Sequence, residues 1–495
     1  MSSRMSQKAA VSVVYVAAMF MTIIDSTIGN VALPTIGRNF RVPSTSVASV
    51  SIYFLVSLAV FMSASGWLGD RFGGKRVLLT AITLFTAASA LCGMAGWLAE
   101  LDIFRVLQGV GGGMMAPVGL AMLFRAFPPA ERVRASAILT VPTTLAPALG
   151  PIVGGLLVTE LSWRWIFYVN VPLGILALAF GAIFLEGGDA LRPGRFDTGG
   201  FLLAGAGLGL LMYGVSEGPA RHWSSTTVQA PISAGAFLLA VLVVVELRQR
   251  LPLIDLRLLG NRLFRSASSV MILASASFIG TLYVASLFFQ DGRGMSALGS
   301  GLSTFPEAVG VMAGAQLASR MLYRVLGPRR NIALGLAGVT ASIGLMSLVG
   351  SQTSLWWMRL LMFLLGVAMG QVFVPAQAAA FATISAEATG RASTMFNVAR
   401  QLGSAIGVAV LTTAVVAVGA MKIVAGRAAP DLAAYHVAFL VAAGVAAVGA
   451  AVALTIHDSD AVSTMTGRGG RKAREDGPGG GQLPSGNPPR CDTMG

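Results

Sequence analysis

Apolar residues in this chain run on in long blocks; they neither alternate with polar ones nor recur on a single helical face. Fourteen blocks stand out, near 10–34, 46–67, 77–97, 100–124, 135–158, 164–186, 198–217, 228–248, 264–289, 297–320, 330–350, 356–382, 393–420 and 435–457. At about 20 residues, each is long enough to cross the hydrocarbon core of a bilayer as an α-helix. The pattern predicts an all-α integral membrane protein with 14 transmembrane helices. It stops near residue 458. The tail from there, 458–495, is rich in Gly, Pro, Ser and charge; it cannot bury a core and is predicted to be a disordered cytoplasmic tail.

Composition agrees with that class. The chain is 55% hydrophobic and 11% charged, against about 25% charged in soluble domains, with a mean hydropathy of +0.74. A net charge of +14 raises the question of nucleic acid. The placement of the basic residues answers it. With fourteen spans, 25 of the 35 Lys and Arg fall on the side of the two termini and only 7 on the other. That asymmetry follows the positive-inside rule, so both termini are expected in the cytoplasm and no nucleic-acid partner is implied. Arg4 and Lys8 precede a first apolar block that runs on without a small-residue cleavage site, which predicts an uncleaved first helix. Cys92 and Cys491 make no disulfide framework. His222, His436 and His457 are scattered, so no metal site is expected. No glycine-rich phosphate loop is present, and ATP is not expected as the energy source.

Isolated polar residues inside the blocks carry the chemistry. Counting 1.5 Å per residue from the cytoplasm places Asp25 roughly 20 Å up the first helix, above the midplane. Arg105, a few residues into a descending fourth helix, can share that depth. Thr27, Asn30 and Gln108 stand nearby in sequence. A buried carboxylate costs roughly 2.5–3.5 kcal/mol on insertion scales. Two readings are open: a structural ion pair, or a proton site whose solvent access changes between states. Glu307, about ten residues into the tenth block, lies near the bilayer centre with no basic residue within a turn. It reads as a contact for cationic substrates, as a second proton carrier, or as a neutral acid donating between helices. Asn397, Arg400 and Gln401 stand near the start of the small-residue helix 393–420; Arg400 can pair with an acid of the second half, form part of the cytoplasmic gate, or serve a purely structural role.

An internal repeat links the loop GWLGDRFGGKR (66–76) to RMLYRVLGPRR (320–330), with Gly73 over Gly327. The chain then divides as six, two and six helices: residues 1–190, an insert of two helices at 191–255, and 256–457.

The loop 66–76 resembles the signature between the second and third helices of the major facilitator superfamily. RVLQGVGGG (105–113) is similar to its fourth-helix motif, and LGPIVGG (149–155) to the fifth-helix motif of its antiporters. DSTIGNVALP (25–34), WRWIFYVNVPLG (163–174) and RASTMFNVARQLGSAIGVA (391–409) resemble its fourteen-helix drug:proton antiporter branch. The resemblance implies a major facilitator fold. It also implies a conformational latch at Gly66, Gly69, Asp70, Arg71, Gly73, Lys75 and Arg76, and a helix seam at Ala146, Gly150, Pro151, Gly154 and Gly155 that guides rocking between halves. Asp25, Arg105 and Glu307 become the proton-coupling residues; Asp25, Asn30, Gln108, Glu307, Asn397 and Arg400 become substrate-binding candidates. The expected function is export of hydrophobic, cationic compounds across a bacterial cytoplasmic membrane in exchange for protons, by a lipid-embedded monomer that is not an enzyme and needs no cofactor beyond the proton gradient. An exporter of one endogenous metabolite or lipid is the alternative on the same fold. A non-transporting sensor lacks any output domain.

Overall fold

The computed structural model describes residues 6–465 except 43–46, 48, 188–195, 222, 250–254, 351, 386, 420 and 425–426. Fourteen long helices follow the apolar blocks: α1 (Gln7–Phe40), α2 (Ser49–Phe72), α3 (Gly74–Met94), α4 (Leu98–Ala126), α5 (Arg132–Leu156), α6 (Trp165–Phe184), α7 (Thr198–Arg221), α8 (Thr226–Arg248), α9 (Arg262–Leu287), α10 (Ala297–Leu317), α11 (Tyr323–Met346), α12 (Leu355–Ala380), α13 (Thr389–Val418) and α14 (Leu432–Ala453). Eleven helices among the described residues are long and apolar enough to cross a membrane; α5, α10 and α11 occupy the remaining three blocks. Polar side chains cap the starts of several of these helices. Asn261 accepts from the backbone N–H of Leu263 and Phe264 at 3.1 Å to start α9, and Ser296 accepts from Gly299 at 3.1 Å to start α10.

The pairing of helices repeats. In the first six, α2 packs on α4, α1 on α5, and α3 on α6. In the last six, α10 packs on α12, α9 on α13, and α11 on α14, so every pair recurs eight helices later. The intervening α7 and α8 pack on each other, and α7 lies against α2 and α13. The two sets meet through α2 with α13 and α5 with α10. The repeated loop also repeats in backbone conformation: Gly73 has φ +86° and Gly327 φ +72°, a region that favours glycine.

Both ends of the described chain lie on one face. Lys8 pairs with Glu131 at 2.6 Å, and the segment after α14 docks beside the same loop. That segment corrects the sequence expectation. Residues 458–465 are not disordered: Asp458–Ala461 form a 3₁₀ turn and Val462–Met465 a short helix. Polar composition hid this order, because the segment is held by partners far away in sequence. Asp458 Oδ1 accepts from the Arg329 N–H at 2.8 Å, Asp460 pairs with Arg262 at 2.9 Å, and the Tyr323 and Thr464 hydroxyls meet at 2.7 Å. Residues 466–495 lie outside the described residues. Between α13 and α14 a short antiparallel hairpin joins Met421–Val424 to Arg427–Pro430.

Candidate functional site

Asp25 and Arg105 do meet. Arg105 Nη1 donates to Asp25 Oδ2 at 2.5 Å, and each side chain is 1% exposed. Three helices and the start of a fourth supply the rest of the shell. Gln108 Nε2 and Asn170 Nδ2 donate to Asp25 Oδ1 at 2.8 and 2.9 Å. The same two amides reach Ser89 Oγ at 3.2 Å, and Ser89 donates to the Phe167 carbonyl at 2.9 Å. Arg105 also donates to Gln108 Oε1 at 2.8 Å and to the Val50 carbonyl at 3.1 Å. Its guanidinium lies 4.2 Å from the Phe54 ring centroid and 5.6 Å from that of Phe167, close enough for cation–π attraction. Both charged side chains are buried and hydrogen-bonded. Asn170 and Ser89 were not singled out from sequence; an asparagine inside the apolar block 164–186 was the available signal for the first. Thr27 is not part of it, since its hydroxyl bonds the Ile23 and Ile24 carbonyls of its own helix. The Asn30 side chain lies outside the described residues.

Phe54 has a second neighbour. A cavity of about 90 Å³ lies between α1, α2, α4 and α13, lined among others by Met19, Thr22, Phe54, Met62, Arg400 and Gln401. Asp25 and Gln108 do not line it. Neither do Glu307 and Asn397. Glu307 is buried on α10, whose backbone packs so tightly on α12 that a Cβ at Gly366 would lie 2.1 Å from the Glu307 carbonyl oxygen. Its Oε1 has no hydrogen-bond partner among the described residues. Asn397 is spent on its own helix, donating to the Ser393 carbonyl at 3.0 Å.

The loop 66–76 sits where the two sets of six helices meet. Arg125 Nη2 donates to Asp70 Oδ1 at 2.7 Å. The Asp70 carboxylate abuts Gly390, where an added Cβ would lie 2.9 Å from Oδ1, so a negative charge faces the first turn of α13, the positive end of its dipole. Gly66 allows the close approach. A Cβ there would lie 2.7 Å from Thr394 Oγ1 and 3.0 Å from the Gly390 carbonyl. Ser65 and Thr394 hydroxyls meet at 3.2 Å, Ser393 donates to the Pro117 carbonyl at 2.6 Å, and Arg132 donates to the Phe381 carbonyl. The face that carries both ends of the described chain is thereby closed. Arg125, the partner of Asp70, stands in the last turn of α4. Lys75 does something other than latch: it donates to the Ala182 and Leu185 carbonyls at the C-terminal end of α6, within its own set of helices. Arg71 and Arg76 are exposed.

The seam on α5 also faces elsewhere than expected. A Cβ at Gly150 would lie 2.3 Å from Thr27 Oγ1, and Ala146 is packed with Ile24 and Ile28. These small residues bring α5 onto α1 of the same set. Gly155 has open space around it. Gly154 is buried, and the Pro151 side chain lies outside the described residues.

Residues 15–408 match the Major Facilitator Superfamily. The chain belongs to that superfamily. Among its relatives, the multidrug resistance protein B homolog of Mycobacterium tuberculosis is 33% identical over 404 residues, covering 81% of this chain and 74% of that one. The tetracenomycin C resistance and export protein of Streptomyces glaucescens is 31% identical, covering 79% and 73%. The crystal structure of the human organic anion transporter MFSD10 superposes with a TM-score of 0.62 at 15% identity, over 90% of this chain and 99% of that one. The proton:xylose symporter XylE gives 0.59 at 14% identity, over 90% and 95%. At that identity the likeness shows the fold alone. As a member of the Major Facilitator Superfamily, this is a multi-pass membrane transporter and not an enzyme.

Proposed function

We propose that this protein exports hydrophobic small molecules across a bacterial cytoplasmic membrane in exchange for protons, with no cofactor, as a monomer whose termini are both cytoplasmic. The names of its relatives, multidrug resistance and compound export, support the direction and the kind of cargo. The observation that carries the coupling is the pair Asp25–Arg105, 1% exposed on both sides. A proton arriving on Asp25 in this state would leave Arg105 as a buried, uncompensated cation. Breaking a buried pair in that way costs about 3–5 kcal/mol. Protonation therefore disfavours the closed arrangement and favours any state in which Arg105 regains water, so the proton selects between states. Glu307 is the second carboxylate of the scheme; it is buried on α10, and its Oε1 has no hydrogen-bond partner among the described residues. Inward proton flow supplies about 2.3 kcal/mol per charge per 100 mV.

The test is dye accumulation in proteoliposomes under an imposed pH gradient. Wild-type protein is expected to concentrate dye until a protonophore is added, and Asp25→Asn to lose at least tenfold of the gradient-driven rate. Equal rates in both would remove Asp25 from the coupling. The relative named for a single compound, tetracenomycin C, favours a second reading, an exporter dedicated to one endogenous metabolite. A deletion strain sensitive to none of a broad panel of toxic compounds would point there.

A further inference from the structure

We propose that the central cavity receives amphipathic anions, such as aromatic carboxylates or sulfonates, and that Arg400 holds the acidic group. This rests on the efflux reading above and names its cargo. It departs from the cationic cargo expected from sequence.

The argument starts from which charges reach the cavity. Arg400 is the one charged side chain in its lining. Among the described residues its guanidinium makes neither an ion pair nor a side-chain hydrogen bond. It stands eleven residues into α13, roughly 16 Å from the closed end, a depth at which ionisable groups are costly without a partner. The buried acids Asp25 and Glu307 are committed elsewhere or lie off the cavity. Asp25 does not line the cavity, is 1% exposed, and already receives Arg105, Gln108 and Asn170. Glu307 does not line the cavity.

The other polar groups of the lining are committed. Thr22 donates to the Ala18 carbonyl at 2.9 Å and Ser26 to the Ile23 carbonyl at 2.8 Å. Tyr15, beside the cavity, donates to the Ala116 carbonyl at 2.9 Å. What remains for a guest is the guanidinium and the Gln401 amide, set among Met19, Phe54, Leu58 and Met62. A planar guanidinium pairs two-pronged with a carboxylate or sulfonate, and methionines reshape around varied apolar bodies. A cationic guest would meet a like charge with no acid in the lining to offset it.

The experiment titrates purified protein in nanodiscs of neutral lipid with two fluorescent probes, anionic 1-anilinonaphthalene-8-sulfonate and cationic ethidium, against protein-free discs. Wild-type protein is expected to bind the sulfonate saturably and at least tenfold more tightly than ethidium. Arg400→Gln should weaken sulfonate binding at least tenfold, and Arg400→Lys should keep it within about threefold. A wild-type preference for ethidium, no saturable sulfonate binding, or sulfonate binding unchanged in Arg400→Gln would overturn the proposal. The wild-type preference decides even if a variant fails to fold. Proteoliposomes with a pH gradient separate the two claims. Gradient-driven ethidium export without sulfonate export leaves the efflux reading standing and removes this one. Arg400-dependent sulfonate binding with no driven transport of either dye does the reverse.

Discussion

At the scale of single residues, the centre of the molecule is a carboxylate that has all it needs. Asp25 takes one charged and two neutral donors, and each donor is anchored in turn. Asn170→Leu removes the donor at 2.9 Å and leaves Oδ1 with Gln108 alone. The expected cost is about 1–3 kcal/mol, read as a lower melting temperature of the detergent-solubilised protein; an unchanged melting temperature would show that the amide contributes nothing. Depth counting along two antiparallel helices was enough to bring Asp25 and Arg105 together from sequence. It could not find Ser89, because one serine in an apolar helix gives no sign of which neighbour it faces. Nor could it tell that Arg400 faces a cavity while Asn397, three positions earlier, bonds its own helix. Which way a side chain turns is decided by partners far off in sequence.

At the scale of helices, glycine positions decide which surfaces close. Gly66 on α2 meets Gly390 and Thr394 on α13, and this contact joins the two sets of six helices at the face of the termini. Gly66→Leu should hold that face apart, since overpacking a tight contact costs about 1–3 kcal/mol. Spin labels on the α2–α3 loop and at the start of α13 should show a longer distance population in the variant, and an unchanged distribution would mean the contact does not set the closed state. The apolar blocks predicted the helices themselves well, because length and hydropathy are local properties. Which helix a small-residue face would meet was not legible. Gly150 was expected between the two sets, and it packs instead on Thr27 of α1. Spacing four residues apart marks a close approach and leaves the partner unnamed.

At the scale of the whole molecule, the same three helix pairings occur twice, with two helices set between the repeats, and closure is concentrated on one face. The acid beside the repeated loop glycine comes from different places in the two repeats. In the first it is Asp70, three residues before Gly73. In the second the matching position is Arg324, and Asp458 reaches Gly327 from beyond α14. The sequence repeat located the loop and could not foresee the distant carboxylate. The account as a whole depends on linkage: if protons drive cargo, cargo must drive protons. The direct test adds a steep gradient of whichever dye the wild type binds to proteoliposomes holding a trapped pH indicator, with no imposed pH difference. The account predicts that dye flow moves protons the opposite way in wild-type protein and that Asp25→Asn moves none. Proton movement of equal size in Asp25→Asn, or none in the wild type while dye still crosses, would contradict it.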